Sequence, residues 1–144
     1  MFKKVLFPID FSDVSMRALD FVIELKDCGV EEVVVLNVIE DKYFYLLGEY
    51  TRLDLDKFED DIKKNVTKKL NSIANTLSNV GFKVKVKIAR GVPANQILKA
   101  EEEEKISVIV IGSHGMSNIK EMFLGSVSET VIRKSKKPVL VVKR

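Results

Sequence analysis

Short apolar runs alternate with stretches of helical periodicity along the whole chain, and this alternation leaves few folds open. Lys4-Val5-Leu6-Phe7-Pro8-Ile9 reads as a buried strand, closed by Pro8 and the acidic turn Asp10-Phe11-Ser12-Asp13. A helix is expected next, capped by Ser12 or Asp13, with Val14, Ala18, Leu19, Val22, Ile23 and Leu25 as its apolar stripe and Gly29 as its stop. Glu32 to Ile39 is nearly all apolar, the pattern of a central parallel strand covered on both faces. A second helix carries Leu55, Phe58, Ile62, Val66, Leu70, Ile73 and Leu77 at spacings of three and four, and Gly81 ends it. Phe82 to Ile88 alternates strictly with lysine, one face buried and the other wet. Lysine blunts edge pairing, so this strand is placed at a sheet edge. Gly91-Val92-Pro93 opens a third helix with Ile97 and Leu98 turned to the core. Ser107 to Ile111 is a fourth strand. A glycine-bearing loop, a short helix from about Ser126 to Lys134 and a last strand, Pro138 to Lys143, complete the chain.

Five strands separated by helices predict an α/β fold: a three-layer, open parallel sheet of five strands with right-handed crossovers and helices on both faces, Rossmann-like in plan. Strands 1, 2 and 4 look central and strand 3 peripheral. The fifth strand, beyond strand 4, should form the other edge. It has no lysine in mid-strand, so it offers an exposed pairing template, and a homodimer through residues 138–143 is expected. A length of 144 residues suits one domain, 1–144. The net charge of +3 is small and dispersed, with Lys63, Lys64, Lys68 and Lys69 sharing a helix with Glu59, Asp60 and Asp61. No basic stripe stands out, so no nucleic-acid partner is expected. The apolar run after Met1 is too short to span a bilayer, and Cys28 is the only cysteine. No membrane association is expected, and the cytosol is the expected location.

Chemistry concentrates in Gly112-Ser113-His114-Gly115, the nine residues Met116 to Leu124, and Gly125-Ser126-Val127-Ser128. Gly112 follows a buried strand and Gly125 precedes a helix. In open α/β sheets ligands collect where strands end, and a phosphate there meets main-chain N–H groups and the positive end of a helix. Glycine would let the phosphate approach and would permit positive φ, while Ser126 and Ser128 could add hydroxyl donors. A structural alternative stands beside this. Ser126-Val-Ser-Glu129 fits a capping box, and the glycines could serve only to turn the chain.

The spacing G-x2-G-x9-G-[S/T] resembles the nucleotide-binding signature of the universal stress protein family, in its ATP-binding branch. The likeness extends from Val-Leu-Phe-Pro-Ile-Asp-Phe-Ser at the start to Lys-Pro-Val-Leu-Val-Val at the end. It implies a fold like that of the adenine nucleotide alpha hydrolases. It also implies ATP or a related adenine nucleotide as ligand, with Mg2+ or Mn2+ carried on the triphosphate rather than by protein side chains. By the same resemblance Pro8, Ile9 and Asp10 would line the adenine and ribose pocket, and Val38 would meet adenine through its main chain. Gly112, Ser113 and Gly115 would hold ribose and phosphates, with His114, Met116, Ser117 and Asn118 completing that loop. Gly125, Ser126, Val127 and Ser128 would bind phosphates from the helix side. The family likeness also points to a homodimer.

A nucleotide-dependent regulatory or stress-response module is therefore the expected function, with a slow ATPase or another ATP-using enzyme as the alternative. There is no GxxxxGK[ST] loop, and no positioned nucleophile is visible, so no catalytic residues are assigned. The acidic cluster of a phospho-receiver domain is missing too. His114, the only histidine, has neither a ligand cluster nor a nucleophile in sequence. Asp10 could instead brace the first turn. Cys28 is expected to be inert, and Glu101 to Glu104 to form a solvated helix face. The aromatics of loop 40–54, Tyr43, Phe44, Tyr45 and Tyr50, are expected to pack on a partner subunit rather than stack on adenine.

Overall fold

The computed structural model describes residues 2–41, 52–115 and 124–144. In chain order the elements are β1 (Lys4–Pro8), α1 (Asp13–Glu24), β2 (Glu32–Glu40), α2 (Arg52–Val80), β3 (Lys83–Gly91), α3 (Pro93–Glu103), β4 (Val108–Gly112), α4 (Ser126–Lys134) and β5 (Val139–Val142). The strands form one parallel sheet in the order β3-β2-β1-β4-β5. The two strands expected at the edges are at the edges.

Alternation along β1 divides the core into two layers. Val5 and Phe7 pack with Ala18 and Val22 of α1 and with Leu70 and Leu77 of α2. Leu6 turns the other way, to Ile97 and Ala100 of α3 and Val131 of α4. Both layers are needed because a parallel central strand is apolar on each face. Leu70 and Leu77 have no exposed surface, and truncating either to alanine should cost about 2–5 kcal/mol. The same stripe continues toward the start of α2 through Ile62 and Val66, but there it is only half-buried.

Several boundaries differ from the periodicity. α1 closes at Glu24, and tighter turns carry the path on, with Cys28 N–H donating to Leu25 O at 3.0 Å, until Gly29 at φ +92° reverses the chain. β2 extends to Glu40 and α2 starts at Arg52. The aromatic positions Tyr43, Phe44, Tyr45 and Tyr50 lie outside the described residues.

The acidic run of α3 is not a solvated face. Glu102 and Glu103 are exposed, but Glu101 is 4% exposed. Its carboxylate accepts from Lys136 N–H at 3.0 Å and from the Ser135 hydroxyl. Glu104, just past α3, sits among Lys85 at 2.8 Å, Lys87 at 3.1 Å and Lys4 at 3.6 Å. The Lys85 hydrogen bond, working against burial and joined by Lys87, holds its carboxyl at about 2. Partners remote in sequence explain the difference, since a carboxylate leaves water only where donors replace it. The lysines on the wet face of β3 therefore do more than protect an edge: two of them bind the end of α3.

Candidate functional site

The sheet order places a switch point between β1 and β4, because the chain leaves β1 toward α1 and reaches β4 from α3 on the opposite face. A cavity of about 480 Å3 opens there, at the carboxyl ends of β1, β2 and β4. That volume lies within the range of small-molecule sites. Ile62 and Val66 of α2 form one wall, and Pro93 and Ile97 of α3 another. Pro8, Ile9, Asp10 and Val38 line the cavity, and so do Gly112, His114 and Gly115 with all of Gly125 to Ser128. Of the resemblance-derived set, Ser113 alone among the described residues does not line it. Met116, Ser117 and Asn118 lie outside the described residues.

Ser113 instead acts through its main chain. Its N–H donates to Val142 O of β5 at 2.8 Å, and its carbonyl accepts from Gly125 N–H at 2.7 Å. The second bond decides how α4 begins. Gly125 takes the N-cap position at φ −65°, with no side-chain cap bond, and Ser126 becomes the first helical residue. The capping box therefore does not form. Nothing among the described residues caps the main-chain N–H groups of Ser126, Val127 and Ser128, which begin a helix at the cavity wall. α1 is the contrast: Ser12 Oγ accepts from Ser15 N–H at 3.3 Å, so its first turn is occupied.

The glycines serve size rather than left-handed geometry. Gly112, Gly115 and Gly125 have no positive φ; Gly29, Gly81 and Gly91 do. A Cβ at Gly112 would lie 2.9 Å from Val14 Cγ1 and 3.2 Å from Ser15 N, so β4 meets the start of α1 only through a bare main chain. At Gly115 it would lie 2.9 Å from Asp10 Oδ2, and at Gly125 3.2 Å from Ser113 O.

The two serines of α4 divide the roles expected of both. Ser128 is 2% exposed, and its hydroxyl points to Ser113 O at 2.8 Å and Gly125 O at 3.0 Å. A hydroxyl has one proton, so this one is engaged by carbonyls and is not a phosphate donor. Ser126 is exposed beside the cavity. His114 is 7% exposed; its Nδ1 lies 2.8 Å from Ser113 Oγ, and its buried Nε2 has no hydrogen-bond partner among the described residues. Asp10 combines both roles considered for it. Its Oδ1 accepts from Ser12 N–H at 3.0 Å, bracing the turn, and the residue lines the cavity.

Among the lining residues that had no assigned part are Asn37 and Phe11. Asn37 Nδ2 donates to Ile9 O at 2.8 Å, just past the end of β1. Leu36 O faces β1, since it accepts from Ile9 N–H at 2.8 Å. By the two-residue period of a strand, the main-chain groups of Val38 face the same side, beyond the last residue of β1. Ile9 O accepts from Asn37, and among the described residues the main-chain N–H and C=O of Val38, on this side, meet no partner beyond β1. Asn37 was visible as the one uncharged polar residue in an apolar run. Among the described lining residues there is no lysine or arginine, and Asp10 and Glu40 are acidic. Among the described residues no group of three histidine, cysteine, aspartate or glutamate side chains could hold a metal ion.

Fold and cavity together define an open-sheet α/β protein with a cleft at its switch point. The universal stress protein family model matches residues 1–143. The chain is 43% identical to universal stress protein MJ0577 of Methanocaldococcus jannaschii, covering all of this chain and 96% of that one. It is 34% identical to universal stress protein YxiE of Bacillus subtilis, covering 99% and 100%. The solved structure of MJ0577 superposes with a TM-score of 0.89 over 100% of this chain and 97% of that one. A universal stress protein from Archaeoglobus fulgidus, solved in complex with dAMP, shares the fold at a TM-score of 0.66 and 24% identity, over 99% and 98% of the two chains. The chain belongs to the universal stress protein family.

Proposed function

We propose that this protein binds ATP, or a close adenine nucleotide, in the cavity between β1 and β4, and that it works as a nucleotide-dependent regulatory module. One observation carries this reading. The first turn of α4, uncapped among the described residues, opens onto a cavity that is also lined by Val38, whose main-chain edge beyond β1 has no partner among the described residues. The first suits phosphate oxygens. The second offers a donor and an acceptor side by side, which suits the edge of adenine. Gly112, Gly115 and Gly125 line the cavity, Ser126 adds a hydroxyl, and Pro8, Ile9 and Asp10 would border adenine and ribose. The dAMP complex of the Archaeoglobus fulgidus protein supports an adenine nucleotide as the class of ligand.

A triphosphate would enter a site whose described lining contributes Asp10 and Glu40 and no cationic side chain. Mg2+ or Mn2+ riding on the phosphates would offset that charge, held mainly by phosphate oxygens and water. β5, at the sheet edge with Leu140 41% exposed, would pair with its copy in a homodimer.

Equilibrium binding of ATP, ADP, AMP and FMN to the purified protein, with and without Mg2+, tests the reading. Tightest binding is expected for ATP with Mg2+, and weakest for FMN. Equal affinity for FMN and ATP, or no binding of either, would contradict it. ATP turnover above about 1 per second, the scale of kinases, would make the protein an enzyme instead.

A further inference from the structure

Phe11 stands in the left-handed region at φ +63°, between the end of β1 and the cap of α1. For a bulky aromatic residue this is an outlier, disfavoured by a factor of about five to thirty in equilibrium terms. Such strain persists only where the surroundings over-determine it. Here three features do so. The Lys69 ammonium of α2 lies 5.1 Å from the centre of the Phe11 ring. The ring packs on the α1–α2 layer of the core. Behind it, Asn37 Nδ2 pins the carbonyl of Ile9 at 2.8 Å.

The reversal at Phe11 separates two tasks of adjacent residues. Ser12 is delivered to α1, where its hydroxyl caps the first turn. Asp10 is turned back across the cavity, so that its Oδ2 comes within 2.9 Å of where a Cβ on Gly115 would stand. Its other oxygen holds Ser12 N–H at 3.0 Å and closes the turn. An ionised carboxylate only accepts hydrogen bonds, so Asp10 in this position suits hydroxyl donors of a bound molecule. With an ordinary negative φ at residue 11, the chain would leave Asp10 on another heading.

We propose that Phe11 is a positioning residue of the ligand site. Its strained main chain aims the Asp10 carboxylate into the cavity, and its ring, clamped by Lys69, keeps that strain from relaxing. The proposal rests on the reading of the cavity as a nucleotide site, and it concerns the main chain at residue 11 rather than the size of its side chain.

Two variants that both remove the ring separate these effects. In F11G the positive φ becomes unstrained, whereas in F11A it remains disfavoured. Calorimetric titration with Mg-ATP should show F11A binding about five- to thirtyfold more weakly than the wild type, matching the left-handed penalty. F11G should stay within about threefold of the wild type, because glycine holds the positive φ without strain. A purely structural ring would give the reverse order or equal losses, and either result overturns the proposal. K69M, in which Phe11 is kept, should weaken binding about two- to fivefold, the scale of an exposed cation–π contact. This arm also decides the matter if F11A fails to fold, since unchanged affinity in K69M counts against the clamp. Absence of Mg-ATP binding by the wild type contradicts the nucleotide reading and takes this proposal with it. Wild-type binding with equal losses in F11A and F11G overturns the positioning role alone.

Discussion

The hydroxyl of Ser128 points to the main-chain carbonyl of Ser113 across 2.8 Å, tying the first turn of α4 to the end of β4. Two residues earlier Ser126 is exposed at the cavity. The two serines should therefore fail in opposite ways. Ser128→Ala is expected to lower stability by about 1 kcal/mol, the net worth of a buried hydrogen bond. Its effect on nucleotide affinity should be smaller than that of Ser126→Ala. Ser126→Ala should leave stability within about 0.5 kcal/mol, as exposed substitutions do, and weaken ATP binding by about fivefold through one lost hydrogen bond. Urea denaturation and calorimetric titration of both variants give the comparison. A stability loss confined to Ser126→Ala would reinstate that residue as the cap.

Glu101 joins α3 to the turn that carries the chain from α4 into β5, accepting from Lys136 N–H and the Ser135 hydroxyl. Glu101→Ala leaves the Lys136 donor without its partner. A loss of about 1–3 kcal/mol is expected, the cost of an unsatisfied polar group, read as a lower urea midpoint. Glu102→Ala, one residue on and exposed, should change stability by less than about 0.5 kcal/mol. Equal effects from the two would mean that the buried clasp contributes nothing.

Glu104 makes stability depend on acid. Its carboxyl is held at about 2 against an ordinary 4.5, first by the Lys85 hydrogen bond and then by Lys87. A depressed folded value means that the group's contribution is complete above the unfolded value and is lost as pH falls toward the folded one. Stability attributable to Glu104 should thus be constant above about pH 4.5 and decline from there toward about pH 2. Lys85 is more than half exposed, so solvent screening limits the contribution, and Glu104→Gln is expected to cost about 1 kcal/mol. Melting temperatures of wild type and Glu104→Gln should converge as pH drops through that window. A constant difference down to pH 2 would contradict the assignment.

Self-association through β5 predicts sensitivity at Leu140, exposed on that edge strand. Leu140→Lys places a charge where two copies would pair, and lysine is the residue that natural edges use against pairing. Sedimentation equilibrium should show the wild type as a dimer at micromolar concentration and the variant shifted toward monomer by tenfold or more. A wild type that sediments as a monomer removes the dimer.

Much of the architecture was legible because it depends on local pattern. The lysine alternation of Phe82 to Ile88 marked an edge, and the apolar runs of β2 and β4 marked strands covered on both sides. The glycine loop pointed to the end of β4, where the cavity lies. What sequence reasoning missed depends on partners remote in the chain. Glu104 is drawn in by lysines of β3, 17 and 19 residues earlier, and Glu101 by Ser135 and Lys136, 34 and 35 residues later. The cap of α4 passed from Ser126 to Gly125 because Ser113 O captures the Gly125 N–H. The missing side chain of Gly112 is demanded by Val14 and Ser15 of α1, a contact that the local pattern does not announce. The left-handed turn at Phe11 carried no compositional sign, since an aromatic residue is not a usual marker of positive φ.

The central claim is that the open first turn of α4 receives the phosphates of an adenine nucleotide. Backbone amide chemical shifts during titration with Mg-ATP test it most directly. The account expects the largest shifts at the amides of Gly125, Ser126, Val127 and Ser128, with a second group at Val38, and saturation of both at one equivalent. Saturable binding that leaves those α4 amides unmoved, with shifts gathered instead along the lysine-lined surface of α2 at Lys63, Lys64 and Lys68, would contradict it.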